Sequence, residues 1–452
     1  MKKIILSSLI LVASAQAVDS VQSWFEEGTV KGNIKYYYIE TQKDIPSTPT
    51  SSVKHTSAHA NAVGGQLGYT TANWNGFQTG ATFMTTNGFA LPNAVDTSIL
   101  GRDNGVRLGT GASGEDAQAA FAVLGEVFMK YSYKDFSALY GRQVIKTPLI
   151  HAKEVRMLPS AVQGAFVDYK LGRGSVGASY LTHFKQRTSD QFTNIVKHAL
   201  GDNTRAITGD DEGEVVVVDG AYKGEISSVR LYNYYAKDFM NSLYIDADFK
   251  NTLDVGWTVN AGYQYIYQTS IGNADTNLNK AGSLTNGNKI SSNAFGFKFG
   301  AGYDELKLDF AYTKVLANSD RHDSLVLPWD GTPLYSNMIT SNDLFQSNYG
   351  KALNADSIYI GGTAGLKFAY TQKYDFSGVK GFKTVFSYLN ARNSKFANNQ
   401  RDYNAVIAYG IGNFSLALKG IWVRHNTSQN TRGDISQIDK LTQYRVIANL
   451  KF

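Results

Sequence analysis

Along most of the chain, apolar and polar side chains alternate one by one in segments of roughly ten residues. The clearest segment sets Trp257, Val259, Ala261, Tyr263, Tyr265 and Tyr267 against Thr258, Asn260, Gly262 and Gln264. Ile34, Tyr36 and Tyr38 oppose Lys31, Asn33 and Lys35 in the same way, and Val127, Met129, Tyr131 and Tyr133 oppose Glu126, Lys130 and Ser132. Leu306, Leu308, Phe310 and Tyr312 oppose Lys307, Asp309 and Thr313, while Phe414, Leu416, Leu418 and Trp422 oppose Ser415 and Lys419. The final segment, 440–452, alternates Tyr444, Val446, Ala448, Leu450 and Phe452 with Gln443, Arg445, Asn449 and Lys451, and only Ile447 breaks its polar side. A period of two predicts strands with one apolar and one polar face.

The connections restrict how such strands assemble. Tight links at 73–76, 134–135, 172–174, 223–225, 302–305, 374–378 and 410–413 alternate with long ones near 42–57, 87–120, 146–161, 186–213, 271–290 and 317–355. All seven prolines fall in segments read as long loops, as a sheet without edges requires. Strand starts near Gly28, Ala58, Asn75, Phe121, Phe136, Val162, Ser175, Glu214, Ile226, Ser242, Asp254, Ser291, Asp304, Ser357, Val379, Asp402, Phe414 and Leu441 give eighteen strands, with sixteen the main rival because the 237–241 link is a weak turn. A soluble β-sandwich would turn apolar inner faces together. Short turns alternating with long loops instead suit a closed transmembrane antiparallel β-barrel, all-β, with short periplasmic turns, long extracellular loops, an apolar face toward lipid and a polar lumen. Trp24, Tyr36 to Tyr38, Tyr133, Tyr370, Tyr388 and Trp422 would form its interfacial girdles.

Composition and the chain ends sharpen this picture. Gly (43), Tyr (28) and Phe (24) are abundant and Pro (7) is rare, as in an all-β chain rich in turns. Residues 1–17 carry Lys2 and Lys3, an apolar run from Ile4 to Ala13, and Ala15-Gln16-Ala17. That is the layout of a cleaved secretory signal peptide, too short to span a bilayer, which leaves 18–452 as one barrel domain. The lack of Cys is no obstacle for an exported barrel held by its own ladder. A net charge of +6 that includes Lys2 and Lys3 is too slight to indicate nucleic-acid binding.

On the strand parity above, the lumen carries Lys31, Lys35, Lys130, Lys298, Lys307, Lys367, Lys383, Lys419, Arg445 and Lys451 against Glu126, Asp246, Asp248 and Asp309. A basic excess in a low-dielectric channel concentrates anions. The competing reading places these lysines at the rims, paired with loop carboxylates. Inward glycines at Gly64, Gly68 and Gly80 would leave room for a loop folded into the lumen, or would simply relieve crowding in a curved sheet. The candidate loop is 146–163, with two prolines and Lys146, His151, Lys153, Glu154 and Arg156. Folded inward it would form a charged constriction; folded outward it is an ordinary surface loop.

The final strand, ending on Phe452, resembles the assembly signal of outer-membrane barrels, with Tyr444 and Leu450 on its apolar face; the partner it implies is the barrel-assembly machinery. The stretches W-F-E-E-G-T-V-K-G-N-I-K-Y-Y-Y (24–38), A-N-A-V-G-G-Q-L-G-Y (60–69), Y-G-R-Q-V-I-K-T-P-L-I (140–150) and E-V-R-M-L-P (154–159) resemble the OprD family of outer-membrane porins. The chain is more distantly similar to the major porins of campylobacter-like bacteria. The OprD resemblance implies an eighteen-stranded barrel, monomeric or a loose homotrimer, among outer-membrane lipids and lipopolysaccharide. It also implies a lumen narrowed by the third and seventh extracellular loops, and a basic ladder guiding carboxylate-bearing solutes. Arg156 and Lys146 would then lie at or near the constriction. The loop 317–355, with Asp320, Arg321, His322 and Asp323, would be the seventh.

Other motifs carry less. Residues 109–114 match G-x-G-x-x-G but sit in a long loop, without the βαβ unit that a dinucleotide needs. The acidic run 209–214 could gather a divalent cation, yet its spacing fits no calcium loop and it reads better as an acidic loop tip. No catalytic motif, metal-ligand spacing or cofactor box is visible. The functional expectation is an outer-membrane channel for passive diffusion of small hydrophilic solutes and ions, favouring anionic ones. The alternatives are a plugged barrel serving as adhesin or structural protein, or a barrel-embedded hydrolase.

Overall fold

A computed structural model describes residues 20–48, 51–88, 120–152, 156–200, 213–280, 289–318, 323–339, 360–394, 399–426 and 440–452. The strands are β1 (Thr29–Thr48), β2 (Ser51–Thr70), β3 (Phe77–Gly88), β4 (Phe121–Tyr133), β5 (Phe136–Gln143), β6 (Ala161–Leu171), β7 (Gly174–Lys185), β8 (Thr193–Asn194), β9 (Val215–Lys223) and β10 (Ser227–Ala236). They continue with β11 (Met240–Thr252), β12 (Trp257–Ser270), β13 (Ser291–Tyr303), β14 (Leu306–Val315), β15 (Thr363–Lys373), β16 (Phe382–Asn393), β17 (Asn399–Ile411), β18 (Phe414–Asn426) and β19 (Lys440–Lys451). Short helices α1 (Val21–Glu26), α2 (Ile195–Ala199) and α3 (Ala274–Lys280) and a 3-10 turn at Asp375–Ser377 complete the described elements.

All strands belong to one antiparallel sheet, in which each long strand pairs with its sequence neighbours and β19 returns to pair with β1. Only β8 lies outside the ring: it is a two-residue strand on the end of β7, and β7 pairs onward with β9. The barrel therefore has eighteen strands, and the 237–239 link is a genuine turn between β10 and β11. Closure in lipid matters because every backbone donor and acceptor of the wall must find a partner within the protein. The seam runs from Asn33 opposite Lys451 to Asp44 opposite Lys440, and Phe452 and Gly32 exchange both backbone hydrogen bonds at 3.0 Å.

The alternation is visible around the wall. Ile34, Leu67, Met129, Phe297, Phe310, Leu366 and Leu418 are exposed on the outer face, while Lys35, Asp246, Gln264, Thr313 and Arg445 are buried on the inner one. The periplasmic turns are tight, with left-handed backbone at Lys134 (φ 51°), Gly172 (φ 57°), Asp304 (φ 51°) and Gly412 (φ 54°). Two bulges, at Thr82/Phe83 against β4 and at Gln163/Gly164 against β7, re-aim the wall on either side of β5.

Three expectations need correction. The link at 42–57 is not a long loop: β1 and β2 pair as far as Thr48 opposite Ser51. Pro46 consequently sits in a strand, opposite Val53. It is tolerated because the pairing of β1 with β19 ends at Asp44 opposite Lys440, so one side of β1 has no ladder partner from that strand at Pro46. Tyr37 is not a girdle residue but turns inward and is buried. Trp24 lies on α1 rather than on a strand, against Trp74 at 5.6 Å between ring centroids.

Candidate functional site

The lumen changes character along its length. Toward the extracellular side the inward positions become apolar and buried: Tyr37, Ile39, Val215, Val217, Tyr234, Ile266, Val315, Leu389 and Ile421. A wall facing only water would not place these groups inward. Their partners come from the loops. Leu149 and Ile150 after β5, Ile195 and Val196 on α2, and Leu325 to Leu327 and Trp329 after β14 share one apolar cluster with the wall. Met157 and Leu158 join Tyr37, Ile39, Ala60, Ala62 and Met84 in a second.

The loop after β5 is fastened at both ends. Glu126 on β4 accepts from the Val144 backbone N–H (3.1 Å) and from the Thr82 hydroxyl (2.8 Å). Further along, Lys35 Nζ donates to the Arg156 carbonyl at 2.8 Å. The loop after β14 is held by side-chain amides that take the place of a neighbouring strand. Gln268 donates to the Val326 carbonyl (2.9 Å) and accepts from its N–H (2.7 Å). Gln264 donates to the Pro333 carbonyl (2.8 Å) and accepts from the Tyr335 N–H (2.6 Å). Lys367 Nζ donates to the Asn337 carbonyl at 2.5 Å, and Asn404 accepts from the Ile339 N–H at 2.9 Å. Burial, with Asp248 and Asp246 nearby, pushes the Tyr335 hydroxyl well up, so it stays protonated and donates to the Tyr263 carbonyl at 3.2 Å.

These loops meet at Asp330, which is buried and in left-handed backbone (φ 60°). Its carboxylate accepts from Arg187 after β7 and from the Ser160 hydroxyl before β6, and it forms a backbone bridge with Ile150. Next to it the Trp329 carbonyl accepts from the His151 N–H (3.1 Å), and the Trp329 indole N–H donates to the Ile195 carbonyl (3.0 Å). Three loops thus share one apolar and ionic knot against the inner wall.

Residues 22–452 match the family model described as outer membrane porin, OprD family. The chain belongs to the OprD family of outer-membrane porins. Among solved structures, this OprD-family barrel is similar to Pseudomonas aeruginosa OccK9 (OpdG), with 15% identity, 95% of this chain and 99% of that chain covered, and a TM-score of 0.72. It is also similar to P. aeruginosa OpdK with vanillate (13% identity, 94% and 98% covered, TM-score 0.69). A third is P. aeruginosa OccK2 (OpdF) in complex with glucuronate (12% identity, 94% and 98% covered, TM-score 0.68). Identities this low speak for the fold. No curated protein matches the chain by sequence.

Within the OprD barrel, the expected lumen residues fall into distinct settings. Lys35 is buried under the first loop described above. Lys130 is buried beside Asp168 and Lys170. Lys298 forms an ion pair with Asp248, and its ammonium lies 4.3 Å from the centroid of the Tyr335 ring. Lys307 pairs with Asp309 at 2.7 Å. Lys367 is taken up by the loop after β14. Lys31 and Lys383 are exposed on the inner face near the periplasmic end. Lys419 stands opposite Arg445, which donates to Gln443 (2.7 Å) and to the Tyr37 hydroxyl (3.4 Å). Lys146 is exposed and bridges to His151 through its backbone, and Arg156 is buried. Lys153, Glu154, Asp320, Arg321 and His322 lie outside the described residues, as do 1–17, 109–114 and most of the acidic run at 209–214. Tyr444, Leu450 and Phe452 are exposed on the outer face of the last strand.

Several participants escape a sequence reading. Arg230 grips Asp246 with two bonds of 2.9 and 2.7 Å, and Arg187 and Ser160 converge on Asp330. The loop after β7 contributes α2 to the core. The run Leu325-Val326-Leu327-Pro328-Trp329, too apolar for a solvated loop, is the signal that could have exposed the knot. The glycines Gly64, Gly68 and Gly80 do not make space for a loop. A Cβ at each would meet the Thr85 carbonyl (2.1 Å), the Thr82 hydroxyl (2.7 Å) and the Phe128 ring (2.6 Å), all atoms of neighbouring strands. Close strand packing explains them; the small residues under the loop are Ala60 and Ala62.

Proposed function

We propose that this OprD-family porin is a passive channel for small hydrophilic solutes that favours anionic, carboxylate-bearing ones, and that residues 146–163 together with the loop after β14 form its constriction. The observation that carries the reading is the charge arrangement of the inner face. Asp246, Asp248, Asp309 and Asp330 are each engaged by a base of the protein itself, Arg230, Lys298, Lys307 and Arg187. Lys31, Lys35, Lys130, Lys367, Lys383, Lys419 and Arg445 come in addition. Glu126, Asp168, Asp219 and Asp402 also face inward, so the bases named here outnumber the acids eleven to eight, and the net field of the lumen is positive and draws in anions. The carboxylate ligands of the OpdK and OccK2 structures, vanillate and glucuronate, point the same way. In this reading export removes residues 1–17, and the mature chain begins near Val18.

Liposome swelling with sugars, amino acids and monocarboxylates of equal size tests the substrate class; the carboxylates should enter fastest. A reversal potential across a bilayer in a potassium chloride gradient tests the charge preference, and a cation-selective pore would contradict it. A plugged barrel is the second reading, favoured by the apolar knot that three loops build inside the wall. Single-channel recording separates the two, because a plugged barrel gives no conductance steps.

A further inference from the structure

The outer face of β16 to β19 carries a row of bases at its extracellular end. Arg401 on β17 stands directly opposite Arg424 on β18, and Arg424 directly opposite Lys440 on β19. Parity puts all three on the lipid side. Leu418 and Tyr444, an even number of positions along the same strands, are exposed, whereas the alternate positions Asp402, Val423 and Leu441 are buried inward. The three side chains are themselves exposed. Arg392 adds a fourth exposed base on β16, one step further out than Asn390, the residue opposite Arg401.

The row directly beneath is aromatic. Tyr388, Tyr403 and Trp422 follow one another in register across β16, β17 and β18. The two tyrosine rings lie 5.0 Å apart, and Trp422 meets Tyr444 edge-on at 6.1 Å. Such rings sit at the boundary between hydrocarbon and headgroups. The bases are two residues further out, about 7 Å along the strand, at headgroup depth. Like charges directly opposed across strands repel. Asp44, at the β1 end of the row, contacts Lys440 at 3.7 Å and His55 at 2.8 Å, which leaves Arg401 and Arg424 as adjacent cations. A polyanion lying across the three strands would turn that repulsion into attraction, and arginine forks suit phosphate oxygens.

We propose that this row binds the phosphates of a bis-phosphorylated glycolipid headgroup, lipid A, in the outer leaflet. The proposal is independent of what passes through the lumen. Native mass spectrometry of the detergent-solubilised full barrel, titrated with bis-phosphorylated lipid A, tests it. Wild type should carry the lipid, R401Q/R424Q/K440Q should bind it roughly ten-fold more weakly, and R401K/R424K, which keeps the charges without the forks, should fall between them. Dephosphorylated lipid A should not be held, and inorganic phosphate at equal concentration should not displace the lipid. Equal binding by the triple variant, equal retention of the dephosphorylated lipid, or displacement by inorganic phosphate would each overturn the proposal. If the triple variant yields no heat-modifiable barrel, R424Q alone removes the central base. It should weaken binding several-fold, and unchanged binding would be equally decisive.

Discussion

At the scale of single residues, Asp330 concentrates more of the molecule than any neighbour. One carboxylate satisfies Arg187 and Ser160, which come from two loops far from Asp330 in the chain. Both partners of the ion pair are buried, so removing one leaves an uncompensated charge that costs roughly 3–5 kcal/mol. Asp330→Ala should therefore loosen the knot rather than the wall. Hydrogen exchange at the His151 and Val326 amides should speed up by roughly a hundred- to several-thousand-fold, with the wall amides unchanged. Unchanged exchange at His151 would show that Asp330 is not the tie. Replacing Arg187 by leucine in the same molecule should restore part of the protection, because the unpaired guanidinium is then gone. The ion pair itself was not readable in the chain. Arg187 and Asp330 stand 143 residues apart, and nothing in either neighbourhood announces the other.

At the scale of elements, the loop after β5 depends on a few contacts with a wall it does not adjoin in sequence. The Lys35 ammonium reaching the Arg156 carbonyl is one, and a hydrogen bond to a charged group contributes roughly 1.5–3 kcal/mol. Lys35→Met should increase the time the loop spends away from the wall by roughly ten- to a hundred-fold. Single-channel records should show this as added flicker, and records identical to wild type would remove Lys35 from that role. The strands were legible because their period of two is imposed by the wall itself: Ile34, Met129 and Phe297 must face out whatever the loops do. The inner face was less so. Tyr37, Ile39, Ile421 and Val423 are apolar on the supposedly polar side, and their reason lies in loops that pack there. The β1–β2 hairpin resembles a loop in sequence because its prolines and serines are turn formers, while its pairing needs only backbone.

At the scale of the whole molecule, the wall is closed by the last residue of the chain. Phe452 exchanges backbone hydrogen bonds with Gly32 and exposes its ring on the outer face. Deleting Phe452 should sharply lower the yield of heat-modifiable barrel in the outer membrane, while the barrels that do assemble keep their conductance. Normal yield would mean that the terminal ring is not needed for insertion. The loop knot makes a separate prediction at this scale, because it is a small apolar core inside a hydrogen-bonded cylinder. Calorimetry should resolve a lower transition for the knot, shifted down by Asp330→Ala, from a higher one for the wall; a single transition that moves as a whole would show that they melt together.

The seam has one more consequence. Helix α1 docks on the periplasmic side, where the Trp24 carbonyl accepts from the Ala72 N–H at 3.0 Å, and the chain's last residue ends within hydrogen-bonding distance of β1. The two ends of the barrel are neighbours in space, so the ring of strands has no intrinsic beginning. A circular permutant that joins them through a short linker and opens at the 134–135 turn would retain every rung of the ladder. Phe452 would then be followed by the linker, and the yield of inserted barrel would test whether its place matters for delivery as well as for shape.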